Sequence, residues 1–397
     1  MTDIKIRKYI ESWQGHYSQN ILVGVLLALA LLPVAIAFSF IVHINPSIGL
    51  MTCGMMMFLM SIFGKRLAMV SGPSSGISIV AAPLVIKYGT EYLFAATVVM
   101  GILLIILGLV HINRLLKLIP DTVVIGFMNA LGILLLVTQV KYIFGISIAT
   151  YVTAILTIVV MIVSTKFIKV IPSPLVAIIV ISIGAYLLKP KLLYVYDLAQ
   201  IQIVLPTIHV PNEFWHWSSL KIVLVYGTTM AVISVIQTHL TNQMIDDLTN
   251  SKTNKNNEII SQGISNLLIG FLGGYGSSGL VGQSKYFYRM GATSRLATLS
   301  TGIFLLLCVE LLSPVIKHIP MVVLAVVLVS VSLNTFDRRT WSHMKSSPIK
   351  NGTLMLFTML LILLTNNLAI GVIVGAVVFY LWQFILKKGR VNDDNIE

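Results

Sequence analysis

Long apolar runs separated by short polar turns dominate this chain. Residues 12–64 contain no Asp, Glu, Lys or Arg, and neither do residues 351–386. A membrane-spanning helix needs about 20 apolar residues, so each run holds two helices folded back at a turn. His43-Ile44-Asn45-Pro46 provides the first turn and Asn366-Asn367 the second. Charges and turn residues divide the rest in the same way. The pattern predicts fourteen spans, at 20–42, 47–64, 73–88, 92–112, 121–139, 146–165, 171–188, 222–246, 258–272, 277–290, 296–313, 319–334, 351–366 and 368–386. The expected fold is an all-α polytopic membrane protein, a single transmembrane domain over 1–397.

Composition agrees. Hydrophobic residues make up 57% and charged residues 10%, with a mean hydropathy of +0.92. These values exclude a soluble enzyme, a disordered chain and a disulfide scaffold. The net charge of +13 would point to nucleic acid in a soluble protein. Here it is read as a topology signal, with the lipid bilayer as partner and no nucleic acid. With the N-terminus in the cytoplasm, 20 of the 27 Lys and Arg residues fall at cytoplasmic ends. Only Lys87, Lys141, Lys189, Lys191, Lys221 and Lys317 fall outside, and Lys285 lies within a span. That bias puts both termini in the cytoplasm of a multi-pass cell-membrane protein. Lys5, Arg7 and Lys8 precede an apolar run without a small-residue cleavage site, so that run is a permanent span. Cys53 and Cys308 fall in spans and read as packed thiols. Residues 189–220, with Trp215 and Trp217, form the one sizeable external stretch. They separate two halves, 1–190 and 220–390, of seven spans each.

The third span of each half is interrupted. Val70-Ser71-Gly72-Pro73-Ser74-Ser75-Gly76 opens span three, and Gly273-Gly274-Tyr275-Gly276-Ser277-Ser278-Gly279 opens span ten. An odd number of spans per half inverts the second half relative to the first. Breaks at matching places in two inverted halves are the strongest sequence pointer to a transporter site. A helix starting inside the membrane leaves its first N–H groups unpaired, at several kcal/mol each in hydrocarbon. A bound anion satisfies those donors and suits the helix dipole. Ser74, Ser75, Ser277 and Ser278 add hydroxyls; Gly76 and Gly279 permit close approach. Either motif alone reads as an ordinary small-residue packing face; the matched pair reads as a site without a fixed cation.

Span eight carries Ser234, Gln237 and Thr241 on one helical face. An amide in an apolar span needs a partner, so Gln237 is either a site residue or an interhelical hydrogen bond. His239 reads as a hydrogen-bonded packing residue and Lys285 as a snorkelling one, with attraction of an anion the sharper alternative. Asp121 reads as the N-cap of span five. The chain has no nucleotide loop, metal-ligand spacing or nucleophile motif, so neither an enzymatic activity nor a cofactor is expected.

Several stretches, taken in order, resemble the SulP family of inorganic anion transporters, the sulfate permease and bicarbonate transporter group. They are Leu32-Pro33-Val34-Ala35-Ile36-Ala37-Phe38, Val70-Ser71-Gly72-Pro73, Ile119-Pro120 with Val123-Val124-Ile125-Gly126-Phe127, Asn257-Glu258 through Gln262-Gly263, Asn266, Gly270 and Gly273-Gly274, and Gly291-Ala292-Thr293-Ser294-Arg295. The resemblance implies two inverted seven-span repeats. It implies a core bundle of spans one to four and eight to eleven, and a gate bundle of the others. It places the site between half-helices at spans three and ten. Carried over, that site falls on Phe38, Ser74, Ser75, Gln237 and Ser278 to Val281, including Leu280. It also implies a homodimer in which the core moves against the gate like an elevator.

Three departures matter. Many bacterial members have an acid where Gln237 stands, linked with proton or sodium coupling; Thr241 matches a sodium-associated hydroxyl but lacks that acid. Gly276 replaces the usual proline at the entry to span ten. The cytoplasmic STAS domain carried by most members is not expected here. The function read from this set is secondary transport or exchange of sulfate, bicarbonate, chloride or a small carboxylate. The alternatives are an uncoupled anion channel, a scaffold without transport, or a nucleobase permease of related fold. The acid-free stretch 259–309 argues against the last.

Overall fold

The computed structural model describes residues 16–393 apart from 117, 169–170, 199–205, 252, 348–350 and 366. Lys5, Arg7, Lys8, Lys117, Lys169, Lys252, Lys350 and Asn366, used above for topology and turns, lie outside the described residues. Each predicted segment corresponds to a helix: α1 Tyr17–Val42, α2 Pro46–Phe63, α3 Ser75–Tyr88, α4 Thr90–Leu109, α5 Asp121–Ile143, α6 Ile148–Phe167, α7 Ser173–Leu188, α8 Trp217–Thr249, α9 Lys255–Phe271, α10 Val281–Arg289, α11 Arg295–Ile316, α12 Met321–Thr335, α13 Thr353–Thr365 and α14 Leu368–Asp393. Seven helices among the described residues are long and apolar enough to cross a membrane.

Local chemistry sets the ends. Pro46 stands at the start of α2, where its missing N–H costs nothing, and Asn45 Oδ1 accepts the Ser47 N–H at 3.0 Å. His43 closes α1 in the left-handed conformation, with φ 63°. The α5 N-cap is Pro120, not Asp121 as expected from sequence; Asp121 occupies the first turn and pairs with Arg339 at 3.5 Å. Both cysteines are buried free thiols.

The helices pack in two groups. In one, α4 lies along α9 and α8, while α11 lies along α1 and α2. In the other, α5 packs on α12, α13 and α14, and α6 packs on α7 and α12. The groups meet where α1 touches α7 and α12, and where α3 touches α5. Burial follows this division. Outer helices such as α6 leave Ile155, Ile162 and Phe167 exposed, an apolar surface suited to lipid.

Two polar ties hold distant loops. In the mid-chain stretch, the Val195 N–H donates to Ile319 O and the Met321 N–H to Leu193 O. After α2, the buried Arg66 guanidinium meets Asp246 at 2.5 Å and donates to Thr253 Oγ1 and Thr249 Oγ1. Alongside it, the Lys65 N–H donates to the buried Glu258 carboxylate at 2.8 Å.

Candidate functional site

Two extended segments cross where the sequence placed its broken spans. Ser71–Gly72 forms strand β1 and Ser278–Gly279 forms strand β2, paired antiparallel with Ser71 opposite Gly279 and Gly72 opposite Ser278. The Leu280 N–H extends the pairing to Val70 O at 2.9 Å. Just after the paired segments, α3 begins at Ser75 and α10 at Val281. Both N-termini, the positive ends of their dipoles, therefore converge on the crossing. Neither is capped by a side chain: the N-caps are Ser74 and Leu280. With 14 and nine residues, at ~1.5 Å rise per residue, neither helix reaches across a hydrocarbon core.

Gln237 clasps the crossing. Its Oε1 accepts hydrogen bonds from Ser74 Oγ at 2.8 Å and Ser278 Oγ at 2.7 Å. A single amide oxygen thus ties together the entries to both short helices. The neighbouring turns of α8 complete the attachment: Ser234 Oγ donates to Ser277 O, and Thr238 Oγ1 accepts the Gly279 N–H. Glycine is required here for space. A Cβ on Gly76 would lie 2.8 Å from Ile233 Cγ2 and 3.1 Å from Gln237 Nε2. One on Gly279 would lie 2.6 Å from Met69 Cε.

Helix α9 supports the crossing from the other side. Asn266 accepts the Ser277 N–H on Oδ1 at 2.7 Å and donates from Nδ2 to Ser277 O at 3.1 Å, engaging the backbone of that residue on both sides of its Cα. Gln262 Nε2 donates to Ser71 Oγ. Gln262, Asn266 and Thr238 were not among the residues singled out from sequence for the site. A polar side chain within an apolar helix needs a partner, but the helix pattern does not say which segment supplies it: Ser71 for Gln262, Ser277 for Asn266 and Gly279 for Thr238.

The predicted residues divide into two sets. Ser74 and Ser278 do not offer free hydroxyls, because Gln237 engages both. Ser277 is tied by Asn266 and donates its hydroxyl to Tyr275 O. Thr241 Oγ1 donates to Gln237 O within its own helix, and the Leu280 N–H belongs to the strand pairing. Helix α10 starts at Val281 rather than 277, because Ser278–Gly279 is extended. Phe38 is buried in the same apolar cluster as Val70 and Leu280. The first-turn N–H groups of Ser75, Gly76 and Ile77 on α3, and of Val281, Gly282 and Gln283 on α10, precede the first intrahelical donors, Ser78 and Ser284. Ser75 is buried, whereas Gly282 is exposed, so the α10 start faces open space. Lys285 is exposed, and His239 Nδ1 bonds Asn113 Oδ1 at 2.9 Å. The side chains clasping the crossing are all neutral: serine, threonine, glutamine and asparagine.

Comparison with known proteins bears on this arrangement. A Sulfate permease family model matches residues 18–151 and 146–359. The putative sulfate transporter YbaR of Bacillus subtilis is 36% identical over 382 residues, covering 96% of this chain and 80% of that protein. The bicarbonate transporter BicA of Picosynechococcus is 25% identical, covering 89% of this chain and 68% of its own length. Among solved structures, the transmembrane domain of a cyanobacterial BicA superposes with a TM-score of 0.80 at 23% identity, over 90% of this chain and 98% of that one. Murine Slc26a9 in its inward-facing state gives 0.81 at 16% identity, over 95% and 71%. These two likenesses establish the fold.

Proposed function

The chain belongs to the sulfate permease family, a family of membrane transporters and not of enzymes, and from that premise we propose that it carries a small anion across the cell membrane by elevator-type alternating access. The observation that carries this reading is the convergence of two uncapped helix starts on a crossing that Gln237 holds with neutral side chains. The anion rests on the amide groups of residues 75–77 and 281–283, which supply hydrogen bonds and dipole charge in place of its hydration. Sulfate, bicarbonate, chloride and small carboxylates all match this donor set.

In this reading the group containing α1–α4 and α8–α11 is the moving core, and the other group is the gate. The halves 1–190 and 220–390 are inverted repeats, and the antiparallel β1–β2 pairing supports that relation. Both termini face the cytoplasm, and the protein works as a homodimer, as the family resemblance implies. Gln237 holds no exchangeable charge, so flux is not driven by protons through this position.

The test is a panel of radiolabelled anions in proteoliposomes, with and without proton and sodium gradients. Saturable uptake or exchange of at least one anion, indifferent to the proton gradient, is the expected result. Absence of flux for every anion overturns the function, and uptake driven by a proton gradient overturns the coupling. The neutrality of Gln237 also favours an uncoupled conductance as a second reading. A channel would carry currents orders of magnitude above alternating-access turnover.

A further inference from the structure

A cavity of about 510 Å³ lies between α1, α3 and the last turns of α5. Its volume falls within the range of ordinary small-molecule pockets, about 300–1,000 Å³. Phe40 and Ile41 of α1, Ile79 and Ala82 of α3, and Val137 and Val140 of α5 make it apolar. It opens at the α1–α2 turn, where His43 and Lys141 are exposed. Burial and the neighbouring Lys141 ammonium hold the His43 pKa below its ordinary value, which leaves Lys141 as the cation at the mouth. Among the described residues no carboxylate pairs with Lys141; its Nζ sits 4.9 Å from the Tyr142 ring centroid. The Thr138 hydroxyl is already engaged with Leu135 O and Gln139 Nε2.

This combination selects its occupant. A small inorganic anion would lose its hydration against apolar walls and gain one ammonium in return. A neutral hydrocarbon would leave the ammonium unpaired. A diacyl phospholipid is too large for the volume, whereas one short acyl chain fills it. We propose that the cavity binds a single-chain alkyl carboxylate, with its chain between α3 and α5 and its carboxylate on Lys141, and that the bound molecule holds the two helix groups together and slows transport. The binding stands on the cavity alone. The inhibition rests on the elevator reading above, because the site spans both helix groups.

The experiment uses the full chain in nanodiscs and a photoreactive dodecanoate carrying a diazirine at mid-chain, with labelled peptides identified by mass spectrometry. Labelling should fall on the ends of α1 and α5 and on α3. Dodecanoate should displace it, and dodecanol at equal concentration should not. K141Q, at an exposed position compatible with the fold, should weaken labelling about tenfold, and A82F, which fills the cavity, should abolish it. Labelling spread over lipid-facing helices such as α6, equal displacement by the alcohol or by a diacyl phospholipid, or indifference to both variants overturns the proposal. Anion flux is measured in parallel. Dodecanoate should inhibit the wild type and lose potency about tenfold in K141Q. Specific labelling without inhibition overturns the proposed slowing of transport. Wild-type protein that labels as expected but carries no anion contradicts the transport reading and leaves the binding site standing.

Discussion

Gln237 Oε1 and Ser278 Oγ are 2.7 Å apart, and the same oxygen receives Ser74 Oγ at 2.8 Å, so one side chain of α8 fastens two segments that lie half the chain apart. The clasp decides what the site can be. It consumes two hydroxyls that the sequence offered as ligands and leaves backbone amides as the donors. It also ties the entries to both short helices to one residue of α8.

Removing the clasp should therefore harm both stability and flux. Gln237→Leu leaves two buried serine hydroxyls without their acceptor, at about 1–3 kcal/mol each. A drop in melting temperature together with loss of flux is expected in detergent and proteoliposomes respectively. Gln237→Glu keeps both acceptor bonds and adds a titratable charge beside the anion. Its flux should be low at neutral pH and recover as the medium is acidified, while wild-type flux lacks that dependence. A pH–flux profile of the two proteins separates the cases.

Gly76→Ala tests the closeness of α3 and α8. The added methyl would meet Ile233 Cγ2 at 2.8 Å. Overpacking of this kind costs about 1–3 kcal/mol, and it would push Gln237 away from Ser74. Anion affinity should fall more than melting temperature, read from the concentration dependence of flux alongside thermal unfolding.

Asn266 alone accepts the Ser277 N–H, and it shares the Ser277 carbonyl with Ser234. Asn266→Leu orphans the buried Ser277 N–H while the carbonyl keeps Ser234, so about 1–3 kcal/mol of destabilisation is expected. Asn266→Asp retains the acceptor for the Ser277 N–H and should be the milder of the two in thermal unfolding.

Arg66 is a structural counterpart away from the site. Its guanidinium is buried on Asp246 with two threonine hydroxyls as further acceptors. Breaking such a pair from one side costs about 3–5 kcal/mol. Arg66→Met should lower the melting temperature sharply, and adding Asp246→Leu should recover part of that loss in a double-mutant cycle.

Much of this was legible in the amino-acid order. Hydropathy and turn residues located a helix for each expected segment, and the serine–glycine breaks identified the segments that meet at β1 and β2. From sequence Gln237 reads either as a site residue or as an interhelical hydrogen bond; the structure shows the bond, from one oxygen to both breaks. The extended entry before α10 was missed. Ser278–Gly279 looks like the opening of a helix until its partner, Ser71–Gly72, is known, and strand pairing across half a chain leaves no local pattern. For Asn266 and Gln262 the reason is different: an amide in a helix announces that it has a partner, not where that partner lies.

Bromide scattering offers the most direct test of the central claim. Crystals of the wild type grown in bromide should show an anomalous peak between the amides of residues 75–77 and 281–283. Ser75→Glu, which places a carboxylate at the α3 start, should lose both that peak and anion flux. A wild-type peak elsewhere with none at the crossing, or a Ser75→Glu protein that transports normally, would contradict the account.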